Sequence, residues 1–427
     1  MNLTDSAPEA VLPKGVKDFL PLKAAKIEHL KQTLYGVFTR WGFRPIMPPS
    51  LEYLDVLERG LGEGLRERTF RFDDRQSGKL LAITPDITPQ VARIVATRMR
   101  DVPLPHRLCY AGRVLRHTEQ QAGKDREIFQ SGVELIGLAS PEADAEMIAM
   151  SIECLQAIGA SDFTIDIGQV EFFRGVMANL PLSGPLALEV QQAIAHKDSS
   201  SLGRLLADIP LPDQARDEIL ALPRLFGGKE VLDRAEQVVT NDRSRRALEN
   251  LRQVLEVLRV YGVEEYVTFD LGELRGLDYH TGLTFQGFLS GFGRAVCSGG
   301  RYDNLTARYG FPAPATGFTF NLQSLLFALD GELDTAALRA TDVLIFQAGE
   351  NKAMAQRIAH SLRQKGYSAA RDIIPRGLDD TLSYARKMNF CYVMVLGEDE
   401  SILLIDVAGG HKKSIPYRAV LASDFAL

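Results

Sequence analysis

Two hydrophobic periodicities follow one another along this chain and limit the folds that it can adopt. Apolar and polar residues alternate in three short segments, which predicts half-buried strands: FTIDIG (163–168), YVTFDLG (266–272) and LTFQGF (283–288). Between the first two segments, apolar residues recur at helical spacing through LALEVQQAIA and RRALENLRQVLEVLRVYG. This order predicts a strand-rich core, residues 1–178 and 259–330, interrupted by a helical insertion at 179–258.

Helix signals flank the predicted strands. Residues 24–41 carry apolar side chains at helical spacing and end before Gly42. Ser140 followed by Pro141 is typical of a helix start, and we expect that helix to run to Gly159. In FRPIMPPSLE (43–52), the prolines exclude a helix and indicate an edge strand or the end of a strand.

The last part of the chain, residues 341–427, changes to strands that alternate with helices. The strand-like segments are DVLIFQ, YVMVLG and ILLIDV, and the helix-like segments are NKAMAQRIAHSLRQKG and DDTLSYARKM. Such alternation predicts a small α/β domain with a mainly parallel sheet.

The composition excludes several classes of protein. No window approaches the roughly 18–20 consecutive apolar residues that a membrane span needs, and MNLTDSAPEA lacks the layout of a secretory signal. We therefore expect a cytoplasmic protein. The four cysteines form no C-x-x-C pair and the seven histidines form no metal-spaced cluster, so neither a metal site nor a disulfide framework is predicted.

The charge balance argues against a nucleic-acid partner. The net charge is −6, and no run of Lys and Arg suggests a basic face. Residues 341–427 contain 11 Lys and Arg against 10 Asp and Glu, which is close to neutral. An RNA-binding surface normally concentrates positive charge.

Five polar and glycine-rich segments occur in a fixed order: PKGVKDFLP (13–21), ITPDITPQVAR (83–93), GRVLRHTEQQAGKDREIFQSGVELIG (112–137), ELRGLDYHTGLTF (273–285) and SGGRYDNL (298–305). Together they resemble the histidyl-tRNA synthetases, from about residue 11 to the C-terminus, and RGLDY is especially characteristic. The resemblance implies an α+β fold: a class II synthetase-like antiparallel sheet core flanked by helices, with a helical insertion and a C-terminal α/β domain like the anticodon-binding domain.

The resemblance also implies a histidine pocket. Such a pocket needs acceptors for the ammonium group, a cation for the carboxylate and a hydrogen-bond partner for each imidazole nitrogen. By their places in the motifs, the histidine-binding residues are Asp86, Thr88 and Gln130 for the ammonium group, Glu134 and Tyr279 for the imidazole, Arg275 near the carboxylate, and Arg116, the motif 2 arginine. Taken singly, each would be an ordinary cap, surface or core residue, so only their joint match predicts a site. The synthetases usually have Glu where this chain has Asp86.

The positions that would bind ATP depart from the synthetase pattern. Arg126 matches a basic position of the motif 2 loop, but Thr118 stands where the motif 2 glutamate is expected. Motif 3 usually ends in a G-L-E-R-type sequence, and the aligned residues here are Asn321-Leu322-Gln323-Ser324. Ser324 supplies no charge to the phosphates, and Gln323 replaces an acidic residue that would help to hold a metal. We therefore expect no catalytic residues, no metal and no cofactor.

A pocket that binds histidine without activating it resembles the regulatory subunits of ATP phosphoribosyltransferase, a paralogous class that acts in histidine biosynthesis. PDITPQVARI and CYAGRVLR also resemble that class. The resemblance implies a non-catalytic subunit that joins the short-form catalytic subunit in a hetero-oligomer, is required for activity and conveys feedback inhibition by histidine. The stretch around Pro48, Pro49 and Leu51 resembles motif 1, the class II dimer interface, and implies a homodimer within that assembly.

Two other functions stay open at this stage. A divergent, working histidyl-tRNA synthetase is favoured by Arg275, Arg116 and the C-terminal domain, and opposed by Thr118, Gln323 and Ser324. The near-neutral C-terminal domain argues against tRNA as its partner. The second is a histidine sensor with a different protein partner.

Overall fold

The computed structural model describes residues 11–117, 125–178, 185–207, 209–273, 279–329, 331, 333, 341–347, 352–397 and 401–427. The chain folds into two compact units. One comprises Met1–Asp18 and Ile27–Leu333, and the other comprises Phe19–Lys26 and Asp334–Leu427. Within the described ranges, no helix is long and apolar enough to cross a membrane.

The first unit contains a large, mostly antiparallel sheet and a small one. Its strands are β1 Arg44–Pro45, β2 Leu51–Tyr53, β3 Arg71–Asp73, β4 Leu80–Ile83, β5 His106–Leu115, β6 Glu127–Ile136, β7 Phe163–Gln169, β8 Phe226–Gly227, β9 Val267–Asp270, β10 Leu283–Leu289, β11 Ala295–Arg301 and β12 Ala315–Asn321. In the described residues the large sheet has nine strands in the order β1-β5-β6-β12-β11-β10-β7-β9-β8, and the small sheet has the order β2-β4-β3. Within the part of this sheet ordered β5-β6-β12-β11-β10-β7, every pair of neighbouring strands is antiparallel.

Helices lie before, between and after these strands. They are α1 Pro21–Arg40, α2 Leu54–Leu57, α3 Glu63–Glu67, α4 Thr88–Arg98, α5 Pro141–Ala157, α6 Val170–Met177, α7 Pro185–Ala195, α8 Ser199–Ala207, α9 Asp213–Ala221, α10 Glu230–Val238, α11 Asp242–Tyr261 and α12 Leu322–Ala328. Of these, α1 and α5 lie where individual helices were predicted. The side chain of Asn241 caps α11 by accepting from the backbone N of Ser244 at 2.8 Å. Gly262, with φ of 71°, ends the same helix in the left-handed conformation that glycine tolerates.

The predicted α+β fold class is confirmed, with helices α7 to α11 between strands of one sheet. The division into a core of 1–178 and 259–330, an insertion of 179–258 and a C-terminal domain of 341–427 stays a prediction. The helical segment belongs to the same compact unit as the large sheet.

The second unit contains a five-stranded sheet in its described residues, with the order β14-β13-β15-β16-β17. Its elements are β13 Thr341–Gln347, α13 Lys352–Gln364, β14 Ala369–Arg371, α14 Leu378–Lys387, β15 Phe390–Leu396, β16 Ser401–Asp406, β17 Lys412–Pro416 and α15 Tyr417–Leu421. The expectation of a mainly parallel sheet is wrong, because only the pairs β13–β14 and β13–β15 are parallel. The last two strands follow without a helix between them, so they pair antiparallel.

A buried ion pair fastens the large sheet to α5. The Nε of Arg301, at the end of β11, donates to Asp144 in α5 at 2.9 Å, and both side chains are buried. The same guanidinium donates to Asp303 at 3.0 Å and to the Leu138 carbonyl at 3.1 Å. Burial raises the pKa of Asp144, and the Arg301 charge opposes that rise. Removing one partner would therefore leave an uncompensated buried charge.

We predict that Arg301→Met lowers the free energy of unfolding by about 3–5 kcal/mol, the usual cost of breaking a buried pair from one side. The matched control is Arg40→Met, which removes an exposed guanidinium 3.1 Å from Glu153. The control should cost at most about 1 kcal/mol. Urea unfolding followed by circular dichroism measures both variants, and equal losses would contradict a structural role for the Arg301 pair.

Candidate functional site

A cavity of about 360 Å³ opens on the large sheet, where β6, β11 and β12 lie side by side. Its floor includes glycines of β11 and β12, and its walls come from α3, the start of α4, the end of β5 and the residues that precede β10. Gly317 in β12 is paired in register with Glu134 in β6. A Cβ on Gly317 would collide with the Glu134 carboxylate, so only glycine leaves that carboxylate in place.

Five of the seven predicted histidine-binding residues line this one cavity: Asp86, Thr88, Arg116, Glu134 and Tyr279. They come from separate elements of the chain, which the fold brings together. Gln130 does not line the cavity, but its side chain contacts Asp86, which does. The predicted Arg275, like the substituted Thr118, lies outside the described residues.

The carboxylate of Glu134 is the most deeply buried polar group of the cavity, with 1% of the residue exposed. Thr88 Oγ1 donates to Glu134 Oε1 at 2.6 Å, and the Tyr110 hydroxyl donates to the same oxygen at 3.2 Å. The Tyr302 hydroxyl donates to the other oxygen. Burial raises the pKa of Glu134 to about 8, although these hydrogen bonds oppose the rise. The side chain is therefore mainly protonated at neutral pH.

Asp86 is oriented by Gln130. Gln130 Nε2 donates to Asp86 Oδ1 at 3.0 Å, and Gln130 Oε1 accepts from the backbone N of Ile87 at 3.2 Å. The amide thus bonds both the Asp86 side chain and the adjacent backbone. This arrangement makes Gln130 a positioning residue for Asp86 in the described structure.

Arg116 and Arg68 place two guanidinium groups on the wall of the cavity. Arg116 Nε donates to the carbonyl of Pro85 at 2.8 Å, which fixes the side chain next to the Asp86 backbone. The cavity therefore combines acidic groups, Asp86 and Glu134, with arginines. A zwitterion is the class of ligand that matches such a surface.

An aromatic group closes one side of the cavity. The ring of Tyr279 lies 5.5 Å from that of Tyr302 and stands perpendicular to that of His280 at 5.1 Å. The Tyr279 hydroxyl is buried and forms no hydrogen bond with the described residues. Burial lowers the pKa of His280 to about 4, so its imidazole is neutral.

Motif matching missed two tyrosines that hold Glu134. Tyr302 follows the SGGR of SGGRYDNL, and Tyr110 lies in CYAGRVLR. Both segments carry the family resemblance, so the residue types were visible. Only the fold brings the two hydroxyls to one carboxylate.

The motif 3 residues begin α12 and do not line the cavity. Asn321 accepts from the backbone N of Gln323 and of Ser324 at 3.0 Å each, which caps the helix. Gln323 is buried, and its Oε1 has no hydrogen-bond partner in the described ranges. Across those ranges, no three His, Cys, Asp or Glu side chains are grouped so that they could hold a metal ion.

Known proteins match over most of the chain. The family model described as histidyl-tRNA synthetase matches residues 15–325. The ATP phosphoribosyltransferase regulatory subunit of Syntrophotalea carbinolica is 68% identical, with all of both chains covered. That of Geobacter sulfurreducens is 57% identical, covering 98% of this chain and 97% of the other.

Solved structures share the fold. A crystal structure from Bacillus halodurans, described as an ATP phosphoribosyltransferase regulatory subunit/histidyl-tRNA synthetase, has a TM-score of 0.77 at 29% identity and covers 88% of this chain and 96% of its own. The histidyl-tRNA synthetase of Nostoc has a TM-score of 0.81 at 22% identity, covering 96% and 98%, which shows the class II fold alone. The chain belongs to the family of ATP phosphoribosyltransferase regulatory subunits, which is built on the histidyl-tRNA synthetase fold.

Proposed function

We propose that this regulatory subunit binds histidine in the cavity and conveys feedback inhibition by histidine to a short-form catalytic ATP phosphoribosyltransferase, whose activity requires it. The observation that carries the proposal is the convergence of Asp86, Thr88, Arg116, Glu134 and Tyr279 on one cavity. The names of the relatives support the catalytic partner.

The imidazole of histidine would lie against Glu134 and Tyr279. A protonated Glu134 can donate to one ring nitrogen, and the buried Tyr279 hydroxyl can accept from the N–H of the other. Glu134 is fixed by its hydrogen bonds and the Tyr279 ring by packing against Tyr302, so little conformational entropy is lost on binding. A ligand without two ring nitrogens would leave one of these buried groups unpaired.

The zwitterionic end of histidine would lie against Asp86 and Arg116. Asp86, held by Gln130, would pair with the ammonium group together with Thr88. Arg116 and the predicted Arg275 would face the carboxylate. The shorter Asp86 in place of the synthetase glutamate would weaken the ammonium contact or let the ligand shift.

The missing ATP-binding residues support a subunit without activation chemistry. At the start of α12, Ser324 has no charge and Gln323 has no carboxylate, so this segment offers no clamp for phosphates or a metal. We propose that histidine is therefore a signal for this chain and not a substrate.

An exposed apolar face supports the proposed homodimer. In the small sheet, Tyr53 pairs with Leu81, which also pairs with Phe72, so the three side chains share one face. Tyr53 and Phe72 are 39% and 41% exposed. Leu51 lies in register on the same face and is 44% exposed. A contiguous apolar face of this kind is typical of an interface, and we propose that it packs against a second copy within the hetero-oligomer.

The first prediction from the proposed function concerns the pH dependence of histidine binding. At a pH between the imidazole pKa of about 6.5 and the Glu134 pKa of about 8, Glu134 is protonated and the imidazole is neutral. In this state Glu134 can donate the one proton that the contact with the ring nitrogen needs. Above about pH 8, Glu134 must bind a proton before it can donate. Histidine affinity should therefore fall by about ten-fold per pH unit on the alkaline side, measured by calorimetric titration.

Glu134→Gln is the control for this pH dependence. An amide donates without titrating, so the decline near pH 8 should disappear, although the ligand's own ammonium group still titrates in both proteins. A variant whose affinity declines in parallel with the wild type would show that Glu134 does not face the imidazole.

The second prediction concerns the partner. Adding the chain to the short-form catalytic subunit of the same organism should switch on ATP phosphoribosyltransferase activity, and histidine should then inhibit it. Asp86→Ala should still form an active complex but need about ten-fold or more histidine for inhibition, because a charge-assisted bond is lost. Asp101→Ala removes an exposed carboxylate outside the cavity and should leave inhibition unchanged.

The third prediction concerns activation of histidine. The purified chain should not catalyse histidine-dependent exchange of pyrophosphate into ATP, because its motif 3 residues offer no cation. A histidyl-tRNA synthetase assayed in parallel provides the positive control. Robust exchange by this chain would contradict a non-catalytic role.

A further inference from the structure

We infer that Arg68 is a further ligand-binding residue of the cavity, where its guanidinium binds the α-carboxylate of histidine. The inference rests on the proposed function, since it concerns one end of the same ligand. Arg68 follows α3 directly and belongs to none of the motifs that identified the other binding residues.

The Arg68 side chain faces the cavity and is not engaged elsewhere. It lines the cavity together with Gly64, and its Nη2 lies 3.9 Å from the point that a Cβ on Gly64 would occupy. Its guanidinium forms no hydrogen bond or ion pair with the part of the chain that the structure describes. By contrast, the Nε and Nη2 of Arg66 both donate to the carbonyl of Glu58, at 3.2 and 2.8 Å.

The backbone of Arg68 is held beside the other cavity arginine. The carbonyl of Arg68 accepts from the backbone N of His117 at 2.7 Å, and His117 directly follows Arg116. The next residue, Thr69, is buried and donates its hydroxyl to the Leu65 carbonyl at 2.7 Å. Two guanidinium groups that line one cavity thus start from backbone segments that are hydrogen-bonded to each other.

A carboxylate is the ligand group that this pair of arginines fits. A guanidinium binds a carboxylate through two parallel N–H donors, and its own charge persists at every relevant pH. The Nε of Arg116 already donates to the Pro85 carbonyl, whereas all N–H donors of the Arg68 guanidinium are available for a ligand in the described structure. Glu63 and Asp86 also line the cavity, so a single arginine would leave the wall net negative, and the second arginine is needed to offset the repulsion of a carboxylate.

The test compares histidine with L-histidinol, which keeps the imidazole and the ammonium group and has a hydroxymethyl group in place of the carboxylate. Both ligands are titrated calorimetrically into the wild type, Arg68→Met, Arg68→Lys and the control Arg66→Met. Arg68→Met should weaken histidine binding by about ten-fold, the loss of one charge-assisted contact, and leave histidinol binding unchanged. Arg68→Lys should recover part of the loss, and Arg66→Met should match the wild type.

The outcomes separate this inference from the proposed function. If the wild type does not bind histidine, both fail. If the wild type binds histidine and Arg68→Met binds it equally well, only the role of Arg68 is overturned. Equal weakening of histidine and histidinol would overturn it as well, since a structural effect does not discriminate between them. Inorganic phosphate is titrated in the same way, and if Arg68→Met loses phosphate binding while its histidine affinity is unchanged, Arg68 binds a different anion and the inference is overturned.

Discussion

The site depends on one buried carboxylate, that of Glu134. Burying a charged carboxylate in the middle of a sheet costs free energy unless the group is protonated or accepts hydrogen bonds. Both conditions are met at Glu134. Burial raises its pKa to about 8, and hydroxyls from Thr88, Tyr110 and Tyr302 donate to it. Gly317 leaves the space for it on the neighbouring strand. Because the three hydroxyls come from α4, β5 and the residue after β11, the carboxylate fastens these elements around the cavity.

The periodicity of the sequence predicted individual strands, whereas the connections between strands decide in which direction they pair. Alternation in FTIDIG and LTFQGF predicted β7 and β10, which pair antiparallel in the large sheet. Periodicity did not predict the direction of the strands in the second unit. It identifies a strand but not its neighbour, and ILLIDV follows YVMVLG without the helical crossover that a parallel pair needs.

The site was predictable in its residue types and not in its hydrogen bonds. Motif positions selected Asp86 and Glu134, which line the cavity, but assigned Gln130 to the ligand. In the described structure that amide donates to the Asp86 carboxylate, a contact that the motifs did not predict. Motifs report which side chains recur, whereas hydrogen-bond partners depend on strand register, here Gln130 opposite Gly112 and Glu134 opposite Gly317.

The feedback control that we propose requires that histidine bind two states of the assembly unequally. Binding of the ligand can therefore affect the assembly through elements of the chain that contact both the ligand and an interface. Thr88, which donates to Glu134, is the first residue of α4. From the same helix, Gln90 and Arg93 donate to Glu52 in β2 at 2.9 and 2.6 Å. Strand β2 carries part of the exposed apolar face of the small sheet, so the contact that we propose between histidine and Thr88 would act on the helix that is hydrogen-bonded to this strand.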